Sequence, residues 1–169
     1  MTHSVQAFTD WLAATPPSML IQQDLWIIPT VQTIHILSIA IVMSSVVMIN
    51  LRILGLSART QPLVAVTRRF QPWVWWTVVV LLLSGSVLII GEPGRALSNP
   101  AFIVKMSMLC TVLILTGFFE RGLRRDARFW DISPGRRVGG RLLAGFSLLL
   151  WIGIVFAGRW IAYINVDSA

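Results

Sequence analysis

Four apolar runs of roughly 20 residues each set the limits on what this chain can fold into. They are Ile27–Ile49, Trp73–Gly91, Ala101–Phe119 and Leu142–Tyr163. A hydrocarbon core ~30 Å thick takes about 20 residues of helix to cross. Inside lipid every backbone N–H and C=O must be satisfied within its own segment, which makes such runs helical. The pattern predicts an all-α chain, an antiparallel four-helix transmembrane bundle forming one integral membrane domain over residues 1–169. Composition agrees: 56% of the residues are hydrophobic and only 12% charged, whereas a soluble domain carries about 25% charged residues. The spans leave no length for a separate soluble domain.

The net charge of +7 could suggest nucleic acid, but its distribution points to a membrane. Arg52, Arg59, Arg68 and Arg69 lie between the first and second spans with no acid among them. Arg121, Arg124, Arg125, Arg128, Arg136, Arg137 and Arg141 lie between the third and fourth, against Glu120, Asp126 and Asp131. The connection Glu92–Pro100 holds one Glu and one Arg, and the segment before the first span has Asp10 and Asp24 but no Lys or Arg. Cytoplasmic loops collect Lys and Arg. The expected placement is a bacterial inner membrane, multi-pass, with both termini periplasmic and the arginines against anionic lipid. Membrane lipid is thus the first partner, with no nucleic acid.

Along the chain, Val5, Phe8, Trp11 and Leu12 share one face of a short amphipathic helix expected to lie on the outer surface. Pro16 and Pro17 end it, and Ser18–Asp24 can form another turn or two. The start has no basic n-region and does not read as a signal peptide. Gly55–Pro62 reads as a polar loop and Val64–Phe70 as a short interfacial helix. Trp73, Trp75 and Trp76 form an interfacial belt at one side of the membrane, Trp160 and Tyr163 at the other. Ser84, Gly85 and Ser86 allow close helix approach. Gly91–Gly94 reads as a turn, Asn99-Pro100 as a helix start, and Glu120–Arg141 as a flexible or amphipathic loop. Cys110 has no second cysteine to pair with and reads as a small packing residue.

Within the spans three basic or titratable side chains stand out: His35, Lys105 and Arg159. Ionisable groups in a membrane are costly and usually face the bundle interior. At 1.5 Å per residue, His35 lies roughly 12 Å below the outer end of its span, and Lys105 and Arg159 roughly 6 Å below theirs. All three fall in the outer half, which suggests one polar pocket. At about 100° per residue, Gln32, His35, Ser38, Ser45 and Asn50 share half of the first span's surface, with Met43 at its edge. Lys105 shares a face with Met108, Val112 and Thr116, and Arg159 with Phe156 and Tyr163.

Three readings compete for His35. It is a structural histidine bonded to Gln32, Ser38 or a neighbouring helix; or an axial ligand of haem b, with Lys105 and Arg159 holding the propionates; or a copper ligand alongside methionine. Met43, Met48, Met106 and Met108 are the available second ligands, although methionines in a bundle more often pack. Copper is the weaker metal reading because no cluster of His and Met occurs at close spacing. Lys105 and Arg159 have a plainer reading too, snorkelling to the outer face. No hydrolytic constellation is visible, and no carboxylate lies within a span, which argues against a proton-coupled transporter. The expected role is a non-catalytic haem- or redox-cofactor-binding membrane subunit. Alternatives are an assembly subunit without cofactor and a handler of copper or small ions. One histidine per chain also permits a homo-oligomer, or membership of a larger membrane complex.

The runs WIIPTVQTIHILSIAIVMSSVVMINLRILGL, NPAFIVKMSML and SLLLWIGIVFAGRWIAYI resemble a family of small four-span bacterial membrane proteins of unknown function. More distantly they resemble the membrane domain of CopD-type copper-resistance proteins. The shared motifs pair Pro29 and His35 with Leu51-Arg52 and Gly55, then Asn99, Phe102 and Lys105, then Trp151 and Gly158-Arg159. The resemblance implies the four-span fold and singles out the same His35, Lys105 and Arg159. It implies no activity.

Overall fold

Each apolar run lies inside a helix longer than itself. The computed structural model describes residues 3–57, 60–126, 129–130 and 133–161. In order, the helices are α1 (His3–Ala13), α2 (Pro16–Gln23), α3 (Ile27–Leu54), α4 (Leu63–Gly91), α5 (Pro93–Leu97), α6 (Pro100–Arg125) and α7 (Pro134–Ile161). α3, α4, α6 and α7 are long and apolar enough to cross a membrane. A 28-residue helix such as α3 is about 42 Å long at 1.5 Å per residue. That matches a bilayer with its headgroup layers, ~40–45 Å, rather than the hydrocarbon core alone. The chain therefore fits a multi-pass membrane protein. Arg59, Arg128, Asp131 and Tyr163 lie outside the described residues.

Local chemistry sets the helix ends. α3 stops at Gly55, whose φ of 75° is left-handed; the amides of Gly55 and Leu56 return to the carbonyls of Arg52 and Leu51. Asn99 caps α6, its side chain accepting from the Ala101 amide at 3.0 Å. α6 runs on to Arg125 because Arg124 pairs with Glu120 one turn back and arginines suit a helix C-terminus. Ser133 accepts from the Arg136 amide, and Pro134 opens α7. The segment expected as a flexible loop, Glu120–Arg141, is thus mostly helix. The expected interfacial helix Val64–Phe70 is the first part of α4, continuous through Pro72. Thr77 back-bonds to the Trp73 carbonyl one turn beyond that proline's own turn.

The bundle consists of two hairpins. α3 packs most extensively on α4, and α6 on α7; α3 also packs on α7, while α4 and α6 touch sparingly. The shared core is Val42, Val46 and Ile49 of α3, Val74 and Val78 of α4, Val112 of α6, and Trp151 and Ile154 of α7. At the arginine-rich end a second cluster closes the α6–α7 connection. Trp130 stacks on Phe119 at 5.0 Å and donates its indole N–H to the Phe119 carbonyl at 3.3 Å. Gly122 leaves the room this requires, since a Cβ there would come 2.9 Å from the Phe129 ring.

The opposite end carries a cap made of α1, α2 and α5. The expected amphipathic helix is α1, the further turns expected after the prolines are α2, and α2 docks on α3 and α4. Ser18, fully buried, donates to the Ile90 carbonyl at 2.7 Å and accepts from Gln22 at 2.9 Å. It thereby satisfies one of the orphan carbonyls at the end of α4. Gly91 admits Ile21, whose Cγ2 is 2.8 Å from where a Cβ would stand. The expected turn at Gly91–Gly94 contains the start of α5, on which α1 packs. Phe8 and Trp11 stack on each other and stay exposed.

Candidate functional site

The inward face of α3 repeats at helical spacing: His35, Ser38, Val42, Ser45, Val46 and Ile49. All but His35 are buried, and His35 is half-buried. Its Nδ1 lies 2.7 Å from the Ser84 hydroxyl of α4. Ser84 itself points back along its helix, 2.7 Å from the Val80 carbonyl and 3.4 Å from that of Leu81. A hydroxyl has one hydrogen. With that hydrogen given to Val80, the oxygen would accept from His35, the ring proton would sit on Nδ1 and Nε2 would keep its lone pair; with it given to Nδ1, the ring proton would sit on Nε2. The neighbouring Gly85 lets the ring lie close over α4: its Cβ position is 3.6 Å from His35 Cε1. Ser84 and Gly85, expected to do no more than pack, therefore position the histidine, while Ser86 back-bonds to Leu82 on the exposed side.

Lys105 stands on the inward face of α6, which also carries Met108, Val112 and Thr116; Val112 is fully buried. The lysine stem crosses Gly158 of α7, with Nζ 3.4 Å and Cε 3.6 Å from where a Cβ would be. One turn on, Met108 fills the notch at Gly153, Sδ 2.9 Å from the missing Cβ. Both residues lie in the cap half of the bundle, His35 of α3 against α4 and Lys105 of α6 against α7.

The other expected site residues are placed differently. Ser38 is buried, but its hydroxyl donates to the Ile34 carbonyl at 2.8 Å. Gln32, at the open end of α3, is exposed. Arg159 follows Gly158 in sequence, yet its side chain lies on the exposed flank of α7. Met43 and Met108 pack against the central core. Cys110, expected to pack inside, is exposed on α6. Among the described residues no three of His, Cys, Asp and Glu gather as a metal cluster.

The arginine-rich half holds polar groups that the sequence did not single out. A cavity of about 40 Å³ there is lined by Asn50, Gln71, Thr116 and Ser147 among apolar neighbours, room for a water or two. Glu120 accepts from Trp75 at 3.1 Å, Gln71 at 3.4 Å and Arg124. Thr67 Oγ1 and Trp151 Nε1 are buried without a protein partner. The readable signal was a lone acid, Glu120, next to the arginines at the end of an apolar run.

No curated protein and no solved structure matches this chain. A family model does match residues 26–164, which takes in α3 to α7 and leaves out α1 and α2. The chain belongs to DUF6644, a family of unknown function.

Proposed function

We propose that this protein is a non-enzymatic membrane subunit that carries a redox cofactor, haem b, in the cap half of its bundle, with His35 as the iron ligand. The observation behind this reading is the hydrogen bond between His35 Nδ1 and Ser84; in the tautomer that keeps the Ser84 back-bond to Val80, Nε2 retains its lone pair. Metal-bound histidines characteristically donate their other ring N–H to such an acceptor. A porphyrin brings four nitrogens of its own, so one imidazole serves as a protein ligand, and the iron when bound would supply one-electron chemistry. A bare copper ion needs several protein donors, which makes copper the weaker form of the proposal despite the CopD-type resemblance. Lys105 is the natural holder of an anionic edge on such a group. The arginine-rich end is the cytoplasmic face of a bacterial inner membrane, and both termini are periplasmic. A reporter fused after Ala169 that is active only in the cytoplasm would refute that topology.

The test is the visible spectrum of the protein purified in mild detergent, with haem and metal content measured on the same sample. The reading requires a haem band that disappears in His35→Ala while the protein still inserts. An unchanged haem content in that variant would overturn it. A second reading also has an observation of its own: the His35–Ser84 bond ties α3 to α4 whatever else binds. In that case the chain is an assembly subunit, haem and metals stay at background, and His35→Gln is tolerated.

A further inference from the structure

Between α4 and α6, at the arginine-rich end, lies a groove of about 630 Å³, lined by Val64, Thr67, Arg68, Gln71, Pro72, Trp75, Glu120, Leu123 and Arg124. That volume falls within the ~300–1,000 Å³ of ligand pockets. The groove exists because α4 and α6 touch sparingly. Glu120 bridges them by accepting from Gln71 and Trp75.

Its walls divide by chemistry. Val64, Pro72, Leu123 and the Trp75 ring are apolar. Arg68 and Arg124 are exposed at the rim. Arg124 spends Nε and Nη2 on Glu120 and keeps its remaining N–H donors, because a guanidinium has five. Thr67 completes the lining, but its hydroxyl is buried beneath the groove surface and closed to a ligand there. The Trp73, Trp75 and Trp76 belt sets the membrane interface, and Arg68 lies two helical turns beyond Trp75, at headgroup depth.

We propose that this groove binds one anionic phospholipid of the adjacent leaflet, its phosphate between Arg68 and Arg124 at the rim and its acyl chains along the open α4–α6 seam. The occupant is a lipid rather than free phosphate because the groove opens onto an apolar seam. The proposal does not depend on the cofactor reading of His35.

The full-length protein in detergent, titrated with phosphatidylglycerol, phosphatidylcholine or inorganic phosphate and read by native mass spectrometry, tests it. Phosphatidylglycerol should be retained one per chain and in preference to phosphatidylcholine. Arg68→Gln should weaken it about fivefold, the worth of one arginine near an anionic headgroup. Val64→Trp, which fills the groove and keeps every charge, should abolish one-to-one retention. Arg137→Gln, outside the groove, should change nothing. Equal retention of both lipids, an effect of phosphate alone, or undiminished binding in folded Val64→Trp would each overturn the proposal. Thermal unfolding of each variant establishes that it is folded.

Discussion

Replacing Ser84 by alanine removes the acceptor of the His35 N–H and leaves the imidazole free to choose its tautomer. The cost can be bounded. Interhelical hydrogen bonds in membranes average about 0.6 kcal/mol and reach about 1.7. This one is 2.7 Å long and Ser84 is buried, so the upper half of that range applies, about 1–1.7 kcal/mol. The single variant also changes helix propensity and the back-bond to Val80, so the pairwise energy comes from a cycle of Ser84→Ala, His35→Ala and the double variant. Unfolding in mixed dodecyl sulfate micelles, followed by tryptophan fluorescence, supplies the three differences. Coupling within about 0.3 kcal/mol of zero would remove the bond from the account. A second readout concerns the proton itself. In a His3→Gln background only His35 remains, and nitrogen NMR of the labelled ring should report protonated Nδ1 and bare Nε2. Ser84→Ala should yield a mixture. A wild-type ring protonated on Nε2 would refute the reasoning, because the lone pair offered to a cofactor would then be on the wrong atom.

Three further outcomes follow from the packing. Gly122→Ala should lower the unfolding midpoint, since overpacking against Phe129 costs ~1–3 kcal/mol against a helix-propensity gain of ~1. Gly117→Ala, with nothing within 4 Å, should raise it, and equal signs for the two would show that the aromatic plug is not tight. Ser18→Ala strands the Ile90 carbonyl at ~1–3 kcal/mol, so amide exchange should speed up in residues 3–23 and stay unchanged in α6 and α7; a uniform change would mean the cap is not a separate unit. Lys105→Met should raise bundle stability by about 1–2 kcal/mol, less than the ~2.5–3.5 charged at a helix centre, while lowering cofactor retention; a fall in stability would reveal a partner that already compensates the ammonium.

The membrane bundle was legible because its signal is long and periodic: four apolar runs, each flanked by arginines or tryptophans. What the sequence left open were helix lengths and docking. Composition marks where hydrocarbon ends, and α6 and α7 continue past that point on caps and ion pairs such as Arg124–Glu120. The docking of the cap helices, though not their existence, escaped for a related reason. Ser18 reads as a polar residue after two prolines, and only its bond to Ile90, 72 positions away, makes it a clasp. At the site, His35 and Lys105 were readable as costly intramembrane groups, and their inward faces followed from the wheel. Ser84 was not, because a serine that accepts from histidine and one that merely packs look alike in sequence. For Arg159 the height along α7 is legible in sequence but the azimuth is not; in the structure it is exposed while Gly158 beside it meets Lys105.

His35 and Lys105 belong to different hairpins, and each hairpin holds its own residue. Ser84 and Gly85 receive the imidazole within α3–α4. Gly153 and Gly158 receive Met108 and Lys105 within α6–α7. Neither notch sets the separation of the two groups. That separation depends on the contact of α3 with α7, since α4 and α6 touch sparingly. The contact runs through the valine core that contains Val42, Val46, Trp151 and Ile154. Trp151 is buried there with its indole N–H unpartnered, so it acts within the described residues through bulk rather than through a bond. A change of volume at Trp151 would turn one hairpin against the other while leaving both notches intact. The residues that would hold a ligand under the proposed function and the residue that sets the space between them are therefore different, and the spacing of His35 and Lys105 can be retuned from the core without touching either.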